Sequence, residues 1–513
     1  MLPPTLIEGA SASRNVNDAA LPTEPVAAPL CPEEAAHSAL DEAPSDLEHT
    51  SQSGNPWDLL AAVMRGLDSA KATEDTPAAR EEKAPEVTLR SLPQNEAAAV
   101  KLSGNILVDS LLEGTKWGET TPGTGVTLTY SFKNDDTIEI APSNPDYAKN
   151  PWYLDDDQKQ AVRDALSRWS DVANITFVEV EDTPDSQGDL RFAGTYNTPE
   201  KRTAEAAPLL AGNVPENGDI WLGKRFADET DEASLKPGGY AFMAIMHEVG
   251  HVLGLKHPHD TSPTNSLLTP KESDNQRQTV MSYTLDYSVS PEGPQPLDIA
   301  AIQYLYGPNT QAHTGDTTYQ FDPDTPVFRT LWDAGGGNTL DASNQNSAVN
   351  LDLTEGGRSS IGPLIVDNNP SVAGPTESND YLTIATGSVV QNAIGSPYDD
   401  YIWGSSKGNK LEGGPGNDTL YGNAGDDRAI YRVTDSPADA KIVDDESLPN
   451  AWHLVNKEGR TLLDIRESWD GNGLVVEDVR ADKDVPEGAS RLGKDLLVDV
   501  ETIDWSVPVE KKD

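Results

Sequence analysis

Cysteine is nearly absent from this sequence, since Cys31 is the only one in 513 residues. One cysteine excludes an internal disulfide framework. Long apolar runs are missing too: no stretch reaches the roughly 18 apolar residues of a membrane-spanning helix. Residues 1–30 also lack the basic start and apolar core of an ordinary signal peptide. These features fit a cytoplasmic protein, and they fit equally a protein exported by a route that recognises another signal.

Basic residues are scarce as well, with 38 Lys and Arg against 85 Asp and Glu and a formal net charge of −47. Such a surface repels phosphate, so nucleic acid is not an expected partner. The excess of carboxylates indicates either a salt-adapted surface or a supply of oxygen ligands for hard cations. The hydrophobic share of 36% is low for a chain that is compact throughout, which predicts some unstructured or loop-rich length. The length of 513 residues predicts more than one domain.

Composition divides the chain into four regions. Residues 1–98 are rich in Ala, Pro, Glu and Asp, which predicts a disordered acidic leader. Residues 99–307 carry the clearest helix and strand patterns. Residues 308–431 are dominated by glycine, asparagine and aspartate, and residues 432–513 contain strand-like runs that we expect to extend or cap a β-sandwich.

The second region mixes both kinds of secondary structure. The run "VTLTYSF" (126–132) alternates apolar and polar residues, as a half-buried strand does. The run that begins at Asp155 places its apolar residues on one helix face, and "YAFMAIMHEVGHVLG" predicts a second helix over about 240–254. Strands on both sides of a long helix predict a domain of mixed helices and strands that ends near residue 307.

Histidine is rare, yet four of the eight histidines lie between residues 247 and 259. On a helix, His247 and His251 project from the same face, so both imidazoles can bind one metal ion. Glu248 lies beside them, where it can reach a metal-bound water without being a ligand. Gly254 allows the sharp turn that returns His257 to the same point. Three neutral nitrogens with an open fourth position are typical of catalytic Zn²⁺.

The short HExxH pattern arises by chance in many helices, so alone it would be weak support for a metal site. The longer pattern, with a glycine and a third histidine at fixed offsets, is far more demanding. His259 departs from that pattern and is interpreted as a loop residue outside the site.

A nine-residue period marks the third region. Glycines recur at 395, 404, 413 and 422, and apolar residues recur at 402, 411, 420 and 429. Such a period predicts a parallel β-roll that binds Ca²⁺, with a plain Asn/Gly-rich loop as the alternative. The candidate calcium ligands are Asp400, Gly413, Gly416, Asp418, Gly422, Gly425 and Asp427, followed by Asp333. Because Asn409 stands where the repeat expects aspartate, fewer or weaker calcium sites are expected.

These motifs resemble those of serralysin-type metzincin zinc metalloproteases with RTX-like calcium-binding repeats, over about residues 104–431. "HEVGHVLGLKHP" is similar to the family's zinc helix, and "TVMSYT" (279–284) is similar to its Met-turn. The resemblance implies an α+β metzincin-type catalytic domain, with a twisted mixed sheet and a long zinc-binding helix. An all-β parallel β-roll or β-sandwich domain would follow it. Met281 would form an apolar floor under the ligands, and Tyr283 would stabilise the oxyanion.

The implied function is a secreted zinc-dependent endopeptidase with one catalytic zinc ion and several structural calcium ions. Glu248 would be the general base, and a peptide substrate would lie antiparallel to an edge strand upstream of the zinc helix. The chain would be a monomer exported by a type I secretion apparatus through a C-terminal signal. Its end, "VPVEKKD", departs from the family's apolar tail, and Asn338 and Gln391 replace the family's usual acids.

Other functions remain open at this point. The chain could be a catalytically inactive, calcium-dependent binding or adhesion protein, although a replaced ligand or a replaced Glu248 would be expected then. A non-proteolytic zinc hydrolase would have no need of a Met-turn. The leader could be a propeptide that keeps the enzyme latent, or an acidic tail without catalytic relevance. Cys31 could in principle occupy the zinc as an inhibitory thiolate.

Overall fold

The computed structural model describes residues 95–139, 143–199, 203–212, 214, 217–229, 231–284, 287–367, 376–433, 440–469, 471–480, 485 and 491–505. The expectations for Cys31 and for the leader up to residue 94 lie outside the described residues. Strand β1 (Ala97–Ala99) pairs antiparallel with β2 (Thr115–Trp117). The boundary predicted between residues 98 and 99 therefore falls within a strand, and folded chain extends at least to residue 95.

A six-stranded mixed sheet forms the frame of the first domain. Its strands are β3 (Val126–Phe132), β4 (Pro151–Trp152), β5 (Ile175–Glu179), β6 (Leu190–Thr195), β7 (Ala204–Ala206) and β8 (Asp219–Leu222). Strands β5, β3, β6 and β8 run parallel in that spatial order, and β7 lies antiparallel at the edge beside β8. The edge of β7 is therefore available on the side away from β8.

The described helices of this domain are α1 (Ile106–Asp109), α2 (Asp156–Val172), α3 (Lys224–Glu229), α4 (Tyr240–Val252) and α5 (Pro296–Tyr306). Asp155 precedes helix α2 and caps it, because its side chain accepts a hydrogen bond from the Gln158 amide. The indole of Trp169 on α2 donates to the Met246 carbonyl of α4, so the two longest helices are locked together in the core. The predicted helices are confirmed.

Within the described parts of the chain, none of the helices combines the length and the apolar character needed to cross a bilayer.

The nine-residue repeat forms the predicted parallel roll. The described strands of this region are β9 (Thr318–Gln320), β10 (Arg329–Leu331), β11 (Thr339–Asp341), β12 (Asn350–Asp352), β13 (Arg358–Ser359), β14 (Ile365–Asp367), β15 (Thr376–Ser378), β16 (Leu382–Ile384), β17 (Asn392–Ile394), β18 (Tyr401–Trp403), β19 (Lys410–Glu412), β20 (Thr419–Tyr421) and β21 (Arg428–Ile430). Strands β10, β13 and β16 form a separate three-stranded sheet and β14 pairs antiparallel with β15, whereas the other strands belong to the two sheets of the roll. From β17 onward, each step of nine residues carries the chain from one sheet to the other, and strands 18 residues apart pair in parallel. The recurring apolar residues at 402, 411, 420 and 429 are at most 1% exposed and form the core of the roll.

The C-terminal strands join this roll instead of forming a separate unit. They are β22 (Lys441–Asp444), β23 (Ala451–Val455), β24 (Thr461–Glu467), β25 (Leu474–Asp478), β26 (Lys494–Val498) and β27 (Thr502–Asp504). Strands β22 to β26 form an antiparallel meander, while β26 pairs parallel with β20 and β27 pairs parallel with β21. One apolar core runs from Val327 to Trp505, so the division predicted between residues 431 and 432 does not separate two cores.

The roll also contacts the first domain near its histidine cluster. The guanidinium of Arg277 lies 3.9 Å from the ring centroid of Tyr381 and 3.1 Å from an oxygen of Asp380. The ring of Tyr287 packs edge-on against Phe328. The segment on both sides of the predicted Met-turn is therefore braced by the second domain.

Candidate metal centre

Three imidazoles converge at the end of α4. The Nε2 atoms of His247 and His257 lie 3.1 Å apart, those of His247 and His251 lie 3.2 Å apart, and those of His251 and His257 lie 3.0 Å apart. Tetrahedral zinc binds imidazole nitrogens at about 2.0–2.1 Å, which corresponds to nitrogen–nitrogen separations of about 3.3–3.4 Å. The structure thus brings together the three predicted ligands at nearly the spacing that zinc requires.

The tautomers of these rings are fixed by the hydrogen bonds of their Nδ1 atoms. The Nδ1 of His247 lies 2.8 Å from the Val280 carbonyl, that of His251 lies 2.9 Å from the Leu255 carbonyl, and that of His257 lies 2.8 Å from Asp260 Oδ2. Since a carbonyl or carboxylate oxygen only accepts, each Nδ1 carries the proton and each Nε2 presents a lone pair. Three lone pairs that face one another fit a bound cation.

Burial keeps the three imidazoles neutral. It lowers the pKa of His247 and of His251 to about 3 and the pKa of His257 to about 4, and the neighbouring rings disfavour a positive charge further. A metal ion binds the neutral form, so at neutral pH these ligands need not lose a proton before binding.

The turn that returns His257 depends on Gly254. Its φ is +102°, and a Cβ at this position would collide with the Thr115 carbonyl, so glycine is needed for both reasons. Beyond the turn, the Lys256 amide donates to the Leu111 carbonyl at 2.8 Å. The chain that follows α4 is therefore held against the segment that precedes β2.

Lys256 fixes the loop around the third histidine. Its buried ammonium donates at 2.5–2.8 Å to the carbonyls of Ser110, Asp260 and Leu267, and it lies 3.3 Å from the carbonyl of His257. Burial lowers the pKa of Lys256 to about 8, which still leaves the group mainly protonated at neutral pH. This lysine could not be assigned from sequence, because its partners are all backbone carbonyls and the buried one, that of Ser110, is distant in sequence.

Asp298 at the start of α5 bonds two residues of the Met-turn, a role that no spacing pattern in the sequence indicates. Its carboxylate accepts from the Thr279 hydroxyl at 2.6 Å and from the Val280 amide at 2.8 Å. The carbonyl of the same residue, Val280, is the acceptor for the Nδ1 of His247. Burial raises the pKa of Asp298 to about 7, and these hydrogen bonds act in the opposite direction.

Met281 lies fully buried beneath the helix that carries the histidines. A Cβ added at Gly250 would collide with the Met281 sulfur and crowd Trp169, so this glycine lets the Met-turn pack directly against α4. The structure therefore places Met281 against α4 at Gly250, the residue before His251.

A cleft of about 420 Å³ opens beside the imidazoles. Glu248, which is only 7% exposed, and Tyr283, which is 59% exposed, both border it. Ala204, the first residue of β7, and Thr203 before it also line the cleft. The ring of Tyr283 lies 4.3 Å from that of His257 and 5.6 Å from that of His247, measured between centroids. Both predicted catalytic residues are therefore next to the cluster.

His259 was expected to lie outside the site, but the structure places it beside the third histidine. Its ring is parallel to that of His257 with 5.4 Å between centroids, and it lies 5.0 Å from the ring of Tyr283. Its Nδ1 is 3.3 Å from Asp274 Oδ2, and this contact raises the pKa of His259. The sequence gives no spacing rule for this histidine, because its position depends on the partner at Asp274.

The predicted calcium residues line the turns of the roll. The Asp418 carboxylate accepts from the Asp400 amide at 2.9 Å, and the Asp427 carboxylate accepts from the Asn409 amide at 2.7 Å. Gly416 and Gly425 have φ of +148° and +145°, so their backbones turn as only glycine does readily. Gly413 and Gly422 each lie close to the aspartate of their own repeat.

Asp333 and Asp400 differ from the other two aspartates. Both oxygens of Asp333 accept, one from the Gly335 amide and the other from the Tyr319 hydroxyl. Asp400 accepts from the Val349 amide and from the amide and hydroxyl of Ser396. Protein donors thus already engage all four of these oxygens.

Comparison with known proteins agrees with this geometry. Residues 130–307 match the Matrixin family, and residues 394–429 match the RTX calcium-binding nonapeptide repeat in four copies. Serralysin G of Dickeya chrysanthemi is 32% identical over 322 residues, which are 58% of this chain and 62% of that protein. Serralysin of Proteus mirabilis is 31% identical over 51% of this chain and 57% of its own length. Metallopeptidase AprA of Pseudomonas marginalis is 30% identical over 50% and 55%, respectively.

The chain thus spans about three fifths of the length of the curated relatives it matches. A Matrixin domain implies a catalytic zinc ion, for which the three imidazoles are the donor set, and the RTX repeats imply calcium. The converging histidines, the mixed sheet and the parallel roll, taken with these matches, support a Matrixin-type zinc domain over residues 130–307 and RTX repeats over residues 394–429, similar to those of the serralysins.

Proposed function

We propose that this protein is a secreted zinc-dependent endopeptidase. The observation that carries the proposal is the convergence of three Nε2 lone pairs beside a buried carboxylate, at the floor of an open cleft. An inactive binding protein would have no use for this set of neutral imidazoles, each oriented by its own acceptor. The open cleft gives a polypeptide chain access to the same point.

His247, His251 and His257 would hold the zinc ion. A bound zinc ion supplies Lewis acidity, which lowers the pKa of water toward about 7 and polarises a carbonyl. Glu248 would accept the proton of the attacking water and pass it to the leaving amine, because it borders the cleft next to His247. The hydroxyl of Tyr283 would donate to the oxygen that gains negative charge when the peptide carbonyl becomes tetrahedral.

Strand β7 would bind the substrate. The Gly223 amide donates to the Thr203 carbonyl, and the Ala207 amide donates to the Asp219 carbonyl. The backbones of Thr203 and Ala207 therefore face β8 or the residue next to it. Since neighbours in an antiparallel ladder alternate, the backbone of Ala204 faces the other way, toward the cleft. An extended peptide could add there as an antiparallel strand, with its scissile bond near the imidazoles.

Calcium would be required for the roll to fold, because its turns bring buried carboxylates together around a sparse core. Extracellular calcium is about millimolar, within the range of the weaker calcium-binding modules. This fits secretion, for which we propose a type I export apparatus and a C-terminal signal. The signal is predicted within residues 432–513, of which Trp505 is the last residue that the structure describes. A monomer suffices, since one chain contains all the residues of the proposed site.

A zinc chelator is expected to abolish casein hydrolysis by the purified protein in calcium-containing buffer. Removal of the ion leaves the three imidazoles and Glu248 without the Lewis acid that activates water. Hydrolysis is measured before chelation, after chelation, and after zinc is added back, with calcium kept in excess so that the roll stays folded. Hydrolysis that survives complete loss of zinc would contradict the proposal. A folded, zinc-loaded protein without hydrolysis would instead favour the binding protein.

Replacing Tyr283 with phenylalanine is expected to lower kcat on a peptide substrate by about 100-fold, with KM and zinc content nearly unchanged. The substitution removes one hydrogen-bond donor whose benefit arises mainly in the transition state. Tyr153→Phe is the matched control, because its hydroxyl donates to Asp135 and lies outside the cleft lining. Equal kcat for Tyr283→Phe and the unaltered protein would remove the tyrosine from the proposed mechanism.

A further inference from the structure

Three imidazole rings lie against Tyr283. The ring centroids of His247, His257 and His259 are 5.6, 4.3 and 5.0 Å from that of the tyrosine. The first two histidines are proposed zinc ligands, whereas His259 has no place in the histidine motif. Tyr283 itself is 59% exposed. Exposed side chains exchange rotamers within nanoseconds unless their neighbours restrict them, so the orientation of this phenol depends on the rings beside it.

Asp274 connects His259 to the turn that carries the tyrosine. Asp274 Oδ2 lies 3.3 Å from the Nδ1 of His259, and Oδ1 accepts from the Ser282 hydroxyl at 2.6 Å. The backbone carbonyl of Asp274 accepts from the Thr284 hydroxyl at 3.2 Å. Ser282 and Thr284 are the two neighbours of Tyr283 in the chain. One aspartate therefore holds the backbone on both sides of the tyrosine and also the imidazole beside its ring.

The ring of His259 also lies against the proposed third zinc ligand. The rings of His257 and His259 are parallel within 2°, with 5.4 Å between their centroids. Tyr283 is inclined to these two rings by 50° and 49°. Inclined aromatic rings attract each other at centroid separations of about 4.5–7 Å, so the contact with His259 adds to the contact with His257. His259 thus joins the zinc-binding loop to the end of the Met-turn.

This arrangement contributes little to the core of the domain. The side chain of His259 is 32% exposed and that of Asp274 is 20% exposed. Removal of a partly exposed ring leaves no buried cavity, so the substitution should cost little stability. An effect of His259 on hydrolysis can therefore be separated from an effect on folding.

We propose that His259 is a positioning residue for Tyr283. Held by Asp274, its imidazole restricts the phenol ring to the side of His257, where the hydroxyl can meet the oxygen of the reacting carbonyl. Ordering this ring before the substrate binds removes an entropy cost from the transition state. The inference rests on the role proposed above for Tyr283, and it adds a residue that is not a proposed zinc ligand.

A double-mutant cycle tests the proposal. His259→Ala is expected to lower kcat on a peptide substrate by about tenfold, with KM and zinc content nearly unchanged. In the Tyr283→Phe background the same substitution should change kcat by less than about twofold, because no hydroxyl remains to be placed. Equal losses in the two backgrounds would overturn the proposal, and so would an unchanged kcat in His259→Ala.

Two further variants separate the ring from its surroundings. His259→Asn keeps a donor for Asp274 but presents no ring, so it should lose as much kcat as His259→Ala, and full activity would contradict the role of the ring. His453→Ala is the matched control, because His453 is 29% exposed and lies 2.6 Å from Asp464 and 3.4 Å from Asp445. It should keep the kcat of the unaltered protein. A comparable loss in His453→Ala would overturn the assignment to His259.

Fluorine NMR supplies a readout that needs neither zinc nor activity. The protein is labelled with 3-fluorotyrosine in calcium-containing buffer, and the Tyr283 resonance is the one that disappears in Tyr283→Phe. Its transverse relaxation rate should fall by about half in zinc-free His259→Ala, because a ring that samples several orientations relaxes more slowly. An unchanged rate would overturn the positioning role even if the unaltered protein hydrolyses casein, so this failure is distinct from failure of the proposed function.

Discussion

Replacing Glu248 with glutamine is expected to reduce casein hydrolysis by about 10²–10⁴-fold while zinc content and folding persist. Glutamine has nearly the same shape, but its carboxamide cannot take up the proton of the attacking water. Glu248 is buried next to His247 and borders the cleft, so the substitution changes the chemistry of the site with little change in packing. Steady-state hydrolysis of casein and zinc analysis of the same preparation measure both quantities.

The control for this substitution is Glu119→Gln, which makes the same chemical change at an exposed position outside the cleft lining. It should hydrolyse casein at the rate of the unaltered protein. If Glu248→Gln retained that rate as well, glutamate would not be the base. If the Glu248→Gln protein lost its zinc, Glu248 would be needed to hold the metal ion, and its assignment as proton acceptor would fail.

Replacing Lys256 with methionine is expected to destabilise the first domain by about 3–5 kcal/mol and to weaken zinc binding by about 10–100-fold. The ammonium bonds the carbonyls of Ser110, Asp260 and Leu267, and methionine would remove this donor from all three, including the buried carbonyl of Ser110. Asp260 orients the ring of His257, so a displacement of this loop would also displace the third zinc ligand. Urea unfolding and zinc competition titrations measure the two effects.

Lys116→Met separates the two effects. Lys116 is equally buried and bonds the carbonyls of Trp117 and Glu119, but it does not contact the loop of His257. It should lower stability by a similar amount and leave zinc affinity within about twofold. A Lys256→Met protein with unaltered zinc affinity would show that the lysine supports the fold alone and does not position the third ligand.

The part of the metal centre that follows from spacing along one chain segment could be predicted from sequence. His247 and His251 are one helical turn apart, and Gly254 sets the turn to His257, so these positions depend on local geometry. Lys256, Asp298 and His259 could not be assigned, because their roles depend on Ser110, Thr279 and Asp274, which come from other segments of the fold. Their partners are also mainly backbone atoms or single carboxylates, which leave no spacing pattern.

The roll shows the same limit. Its nine-residue period predicted the coils up to residue 430, since each turn repeats glycine and one apolar residue. The strands of residues 432–513 were predicted, but their insertion beside β20 and β21 was not, because the meander of β22 to β25 interrupts the period. Gly493, Asp495 and Leu497 have the spacing of Gly416, Asp418 and Leu420, which is the signal in the sequence that could have revealed it.

The meander and β27 also limit how far the parallel stack can grow. A roll of identical coils presents unpaired backbone groups at its last coil, and these could template further coils from another molecule. In this chain one sheet turns antiparallel after β26 and ends at β22, whose terminal residues Lys441 and Asp444 are charged. Among the described strands, the other sheet ends at the three-residue β27, which follows Glu501 and contains Asp504. Short, charged borders of this kind discourage end-to-end polymerisation and favour a solenoid of fixed size.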